Sequence, residues 1–155
     1  MKPTSQSKKA TLLKTKKLIV SNATPKDIAL IKADAKHFGI TPVENVTGDN
    51  RFKTLVAKRE GKILGFIEII LHHDDGYAEI TKLGVHESQR KREVGKVLFG
   101  RASAIIARNT GMKIAILHAK QSSVPFYLQT HFVRVPGSNQ FTWEVKKNSR
   151  IRRRK

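Results

Sequence analysis

The chain has 155 residues, 39% of them hydrophobic, no cysteine and a formal net charge of +19. One ordinary core fits that length, while disulfides, thiolate metal sites and a cysteine nucleophile are excluded. No apolar run nears the roughly 18 residues that span a bilayer, and the N-terminus lacks the apolar stretch of a secretory signal, so an intracellular protein is expected.

Residues 1 to 17 carry six lysines and no acid; residues 146 to 155 carry seven basic groups and no acid. Removing these thirteen from the 31 basic residues leaves 18 against 12 acids, so the stretch from 18 to 145 carries only +6. The division expected is a basic arm (1–17), a folded domain (18–145) and a basic tail (146–155). Arms of this kind repel each other and attract polyanions, with affinity that falls steeply with salt. Lys8, Lys9, Lys14, Lys16 and Lys17, with Arg150, Arg152, Arg153, Arg154 and Lys155, are the expected nucleic-acid contacts. Solubilising or nuclear-import tails, or a transit peptide at the start, are the competing readings. Neither arm has the apolar face a membrane surface requires.

From Lys17, "KLIVSNATPKDIALIKADAKHFG" reads as a short strand and then a helix. Thr24 suits the N-cap, Pro25 the first helical position and Asp27 the positive end; Ile28, Leu30 and Ile31 supply an apolar stripe, and Gly39 ends the helix. "ITPVENVTGDN" reads as loop, with or without a helical turn. Three β-rich runs follow, near 52–59, 62–72 and 77–85, separated by the turn signals "EGK" and "HDDGY". Val94, Val97, Leu98, Ala102, Ile105 and Ile106 keep a helical period that Asn109 and Gly111 close. "KIAILHA" reads as a buried strand, "SSVPFYLQTH" as a short helix, and "FVRV" and "FTWEVK" as a final strand pair around Gly137. The fold class expected is α/β (α+β), a mixed, largely antiparallel sheet flanked by helices.

This order, from about residue 18 to 145, resembles the GNAT superfamily of acyl-CoA-dependent N-acetyltransferases. "YAEITKLGV" is similar to that family's central strand, closest to its histone acetyltransferase branch, where a Glu at the third position is the general base. "RKREVGK" stands at the family's pyrophosphate loop, and "LHAKQSSVPFYLQTHF" resembles the strand and helix that carry its "FYxxxGF" tyrosine. The resemblance implies a GNAT-like fold and acetyl-CoA as co-substrate. It also implies Glu79 as base, Tyr127 as acid toward the leaving thiolate, Leu83 and Val85 along the cofactor channel, and Arg90, Lys91, Arg92, Val94, Gly95 and Lys96 at the phosphate end.

The chemistry asks for these parts. A pyrophosphate is best held by main-chain N–H groups at a helix N-terminus, where unpaired donors and the helix dipole converge, and glycine lets the backbone come close. Here Arg90 matches the loop's basic position and Gly95 its last small one, but Glu93 stands where the first glycine belongs. Its carboxylate is expected to repel a diphosphate, or else simply to suit the first turn of a helix that has no ligand. A free lysine amine, with a pKa of about 10.4, must lose a proton before it attacks a thioester, so a base is required. Glu79 in a cleft between splayed strands answers that need, and burial there is expected to raise its pKa; a solvent-facing glutamate is the plain alternative. Tyr127 reads equally as a packing residue. His131 replaces the family's Gly, so the turn after that helix is expected to find another geometry, a left-handed histidine being one option. "HHDD" at 72–75 reads as a solvated turn rather than a metal site, and no metal is expected. His118 reads as a core histidine or a second proton acceptor.

Two functions follow. One is an N-acetyltransferase acting on an amine, a protein lysine or N-terminus being preferred because a body and arms this basic repel free polyamines. The other is a catalytically inactive GNAT-fold subunit associated with nucleic acid, in a ribosome or a viral particle, since fold does not guarantee function.

Overall fold

In the computed structural model, residues 17–40, 51–89 and 93–145 are described. Strand β1 (Ile19–Asn22) leads into α1 (Pro25–Ala33), whose start is fixed by a capping box. Asp27 N donates to Thr24 Oγ1 at 3.1 Å, and Thr24 N donates back to Asp27 Oδ2 at 2.9 Å, so two otherwise unpaired helix donors are satisfied. The other carboxylate oxygen of Asp27 lies 2.8 Å from Lys58 Nζ. Burial works to raise this carboxyl, but the Lys58 and Thr24 hydrogen bonds outweigh it and hold Asp27 below the usual carboxylate range.

The helix stops earlier than its sequence suggests. Asp34 breaks it at φ −117°, and a separate single turn, α2 (Ala35–Phe38), ends at Gly39 in the left-handed conformation, φ 82°. Ile28 and Ile31 are buried, whereas Leu30 is 52% exposed and does not belong to the apolar stripe. Two residues from Ile28 is about 200° around a helix, so Leu30 points to the opposite side.

Next come β2 (Phe52–Arg59), β3 (Lys62–His72) and β4 (Tyr77–Val85), with the bounds expected from their β-rich runs and the turn signals between them. Glu60 and Gly61, at φ 53° and 79°, make the β2–β3 turn, where two successive positive φ values match the strands' twist. The remaining elements are α3 (Val94–Arg108), β5 (Ile114–His118), α4 (Val124–Leu128), β6 (Val133–Arg134) and β7 (Gln140–Glu144), with 3-10 turns at Glu87–Gln89 and Gln121–Ser123. The strands form one sheet in the order β1-β2-β3-β4-β5-β7-β6. Every neighbouring pair is antiparallel except β4 with β5, which is parallel.

A core lies on each face of the sheet. Leu55, Ala57, Ile67, Ile69, Leu71, Ala78 and Ile80 pack with Val94, Leu98, Ala102 and Ile106 of α3 on one face, joined by Tyr127 and Phe141. Val56 and Phe66 pack with Ile31 and Phe38 on the other. The loop 41–50, Arg90, Lys91, Arg92 and most of the two expected arms (Lys8, Lys9, Lys14 and Lys16; Arg150, Arg152, Arg153, Arg154 and Lys155) lie outside the described residues, while Lys17 is exposed.

Candidate active site

The sheet opens in its middle. Strand β4 pairs with β5 only from Tyr77 to Ile80, against Ile114 to Leu117. Beyond that point β4 continues along β3 as far as Val85, past the end of its pairing with β5. The chain leaving β5 is held on the far side, because Ala119 N donates to the carbonyl of Asn139, next to β7, at 2.8 Å. The result is a wedge between β4 and the chain that leaves β5, shaped to admit an extended, amide-bearing ligand.

Helix α3 begins beside this wedge. In its first turn Val97 N donates to Glu93 O at 2.9 Å, and the residues four before Val94, Gly95 and Lys96, the partners of their N–H groups in a continued helix, are 90–92, outside the described residues. Glu93 makes no side-chain cap. Its carboxylate, 69% exposed, instead reaches toward Arg59 Nη2 at 3.7 Å, so the repulsion expected from its position is partly neutralised and directed to the β2 end. Glycine matters nearby for a different reason than a turn. A Cβ on Gly65 would sit 3.0 Å from Val94 Cγ1 and Leu98 Cδ1, so its absence lets the first turns of α3 press on β3. A Cβ on Gly95 would lie in ordinary contact with Phe126, 3.4 Å, and Val85, 3.7 Å. A helix N-terminus with an exposed Lys96, and a Glu93 carboxylate directed to Arg59, is chemistry that fits a pyrophosphate. Of the predicted channel residues, Leu83 and Val85 are half-buried against the α3-side core and Val94 is buried, leaving Val94 only its backbone to offer.

A cavity of about 340 Å³ lies between α3 and α4, lined by Lys96, Phe99, Gly100, Phe126 and His131 with Gln129 and Thr130. Phe99 is its centre, with Phe126, Tyr127, His131 and Phe132 within 5.1–6.1 Å, ring to ring. The sequence patterns concealed this cavity, because Phe99 and Phe126 look like ordinary core residues. His131 packs edge-on to Trp143 at 4.3 Å. Burial of the ring there pushes its pKa below the ordinary histidine value, although the residue as a whole keeps an exposed edge. It is not left-handed: among the described residues Glu60 is the one non-glycine with positive φ. The Thr130 side chain closes the α4 end instead, donating to Tyr127 O at 2.7 Å and accepting from Phe132 N at 3.2 Å.

Glu79 lies at the last paired stretch of β4, opposite Ile116 and just before the wedge. Its neighbours Ala78 and Ile80 point into the α3-side core, so strand alternation turns Glu79 to the other face of the sheet. Its side chain is 30% exposed, and His72 Nε2 stands 3.6 Å from Glu79 Oε1. That imidazole nitrogen is buried without a hydrogen-bond partner, and its ring stacks on Tyr77 at 4.2 Å. His72 therefore leaves the solvated turn to which "HHDD" assigned it. His118 is exposed rather than in the core.

Tyr127 is 7% exposed, ringed by Phe99, Phe126 and Phe141, and burial pushes its phenol up to about 12. A phenol that holds its proton longer when folded contributes stability that is complete below the unfolded value of about 10 and is lost as pH rises toward 12. Urea unfolding at pH 8 and pH 11.5 is expected to show this loss, roughly 2–3 kcal/mol when fully developed, and Tyr127→Phe is expected to remove that part of the pH dependence.

The profile of the acetyltransferase (GNAT) domain matches residues 50–134, more than half of the chain. The chain belongs to the GNAT acetyltransferase family. No protein among the curated sequences matches it. Solved GNAT-fold structures do. The ribosomal-protein-S18-alanine N-acetyltransferase from Escherichia coli superposes with a TM-score of 0.68 at 10% identity, covering 85% of this chain and 96% of that one. PaiA N-acetyltransferase from Thermoplasma acidophilum, in complex with coenzyme A, gives 0.67 at 17% identity, covering 83% and 99%. Arabidopsis thaliana NAA60, in complex with a bisubstrate analogue, gives 0.64 at 18% identity, covering 85% and 100%. At these identities the likeness is one of fold. The GNAT family's chemistry is acyl transfer from coenzyme A to an amine, and no described helix of this GNAT protein is long and apolar enough to cross a membrane.

Proposed function

We propose that the protein transfers an acetyl group from acetyl-CoA to an amine, with Glu79 as the base and Tyr127 as the group that serves the departing thiolate. The observation that carries this reading is the wedge between β4 and β5 with the N-terminus of α3 at its side. The co-substrate supplies an activated acyl carbon and a sulfur leaving group. Val94, Gly95 and Lys96 would bind its pyrophosphate, with Arg90, Lys91 and Arg92 adjacent in sequence, and the edge of Thr81 to Val85 would align its extended arm beside Leu83 and Val85. The acceptor amine would come from the opposite face, where Glu79 takes its proton as the new C–N bond forms. A phenol held near 12 remains protonated at neutral pH, so Tyr127 acts by donating a hydrogen bond to the sulfur as the C–S bond breaks.

Charge supports a protein amine as acceptor. A chain at +19 repels a free polyamine but is drawn to an amine carried on a nucleoprotein, where Lys8, Lys9, Lys14, Lys16, Lys17 and the arginines from Arg150 to Arg154, with Lys155, would meet phosphates. Acetyl-CoA at about 100 times its dissociation constant should add near 2.7 kcal/mol of stability, a shift of several degrees in a domain of this size. Transfer to a panel of lysine peptides, N-terminal peptides and small amines completes the test. Stabilisation without transfer to any acceptor would favour the inactive, nucleic-acid-associated subunit; neither would remove the coenzyme reading altogether.

A further inference from the structure

On the α1–α2 side of the sheet, one carboxylate and two imidazoles converge that the transfer reaction does not use. Asp34, His37 and His86 each offer a ligand atom, and these atoms lie within 4.8 Å of one another. Asp34 Oδ1 contacts His37 Nδ1 directly, and Asp34 Oδ2 stands 3.2 Å from His86 Nε2. A four-coordinate ion with bonds of about 2.0–2.2 Å needs its donors about 3.4 Å apart, so the second spacing already suits one.

The outer nitrogens of both rings are also engaged. His37 Nε2 faces Glu87 Oε1 at 3.5 Å, and His86 Nδ1 lies 2.8 Å from Ser88 Oγ and accepts from Ser88 N at 3.2 Å. A carboxylate on the nitrogen away from the metal, as at His37, raises the basicity of the ligating nitrogen, and the Ser88 contacts fix the orientation of the His86 ring. Packing fixes the rings further: His37 and His86 stack at 5.4 Å with 20° between planes, and Phe38 meets His86 edge-on at 5.2 Å. The backbone of His86 is tied to Leu64 O at 2.8 Å. Asp34 sits at the break between α1 and α2, one turn before His37, which is why an i, i+3 pair converges there.

We propose that Asp34, His37 and His86 form a binding site for a zinc-class divalent cation, with Asp34 oxygen, His37 Nδ1 and His86 Nε2 as ligands. Two imidazoles and a carboxylate without thiolate select zinc, cobalt or nickel over magnesium and calcium. The ion would fasten the α1–α2 corner to the first residues after β4, the segment that continues to the α3 mouth.

The test uses the full chain, stripped with a chelator and titrated with zinc chloride by calorimetry and thermal melting, and separately with cobalt followed by visible absorption. The expected result is saturable binding of one equivalent, a rise in Tm of several degrees, and cobalt absorption of a low-symmetry nitrogen–oxygen site. His86→Asn and Asp34→Asn are each expected to weaken binding at least tenfold, while His73→Asn, in the β3–β4 turn, leaves it unchanged. All six histidines fall within the described residues, so the imidazole alternatives can be exhausted. Absence of saturable binding, equal binding in the Asp34 and His86 variants, or a loss in His73→Asn instead would each overturn the site. Should His86→Asn fail to fold in chelator, His37→Gln makes the same comparison.

Discussion

Glu79→Gln is expected to lower kcat for acetyl transfer about 10²- to 10⁴-fold, the usual contribution of a positioned general base, with the affinity for acetyl-CoA unchanged. Glutamine keeps the size of the side chain and its reach toward His72, so packing around the partly buried position is preserved. What it loses is the capacity to take a proton from the amine. A steady-state assay on the best acceptor, with coenzyme affinity measured by calorimetry, separates the two quantities. A fall of less than threefold would remove Glu79 from the mechanism while leaving the coenzyme site in place. Lost coenzyme binding would point to misfolding of β4.

The second large effect belongs to Phe66 and Gly84. Phe66 is fully buried in the core under α1 and α2, with the Phe38 ring edge-on at 6.1 Å, and it lies directly over Gly84 of β4. A Cβ on Gly84 would come within 2.6 Å of Phe66 Cε1 and 3.1 Å of Cζ. Gly84→Ala therefore has to displace a ring that has nowhere to go, at a cost of about 1–3 kcal/mol. Phe66→Ala leaves a cavity and is expected to cost about 3–5 kcal/mol. The double variant should be less destabilised than the sum, by about 0.5–3 kcal/mol, because the new methyl enters the space the ring vacated. Urea unfolding of the four proteins measures that coupling, and strict additivity would show that the two residues do not share the space.

Much of this architecture was legible in the residues. β-rich composition marked β2, β3 and β4, the turn signals divided them, and Thr24, Pro25 and Asp27 announced the start of α1. Three features were not legible. The break at Asp34 depends on the corner packing of α2, since no glycine or proline marks it. The cavity around Phe99 depends on how α3 and α4 meet, and aromatic residues in an amphipathic helix look alike whether they line a void or fill one. The partners of Glu79 and Asp34 come from elsewhere in the chain, His72 from β3 and His86 from the residue after β4, and local pattern does not report such meetings. Glu93 illustrates the same limit: sequence position set it against a phosphate, while the three-dimensional neighbour that draws its carboxylate aside, Arg59, is 34 residues earlier.

Between β3 and β4 the register slips, with Ile69 opposite Ile80 but Glu68 opposite Lys82, so Thr81 is an extra residue in β4. Before it even-numbered residues, Ala78 and Ile80, point toward α3; after it odd-numbered ones, Leu83 and Val85, do. This parity change is what allows one strand to present an acid on its upper face and, two turns of the pleat later, aliphatic groups beneath. Deleting Thr81 would straighten the strand and leave Leu83 and Val85 on the α3 side, whereas drawing Thr81 into the ladder as an ordinary residue would send Lys82 and Gly84 there and turn Leu83 and Val85 outward.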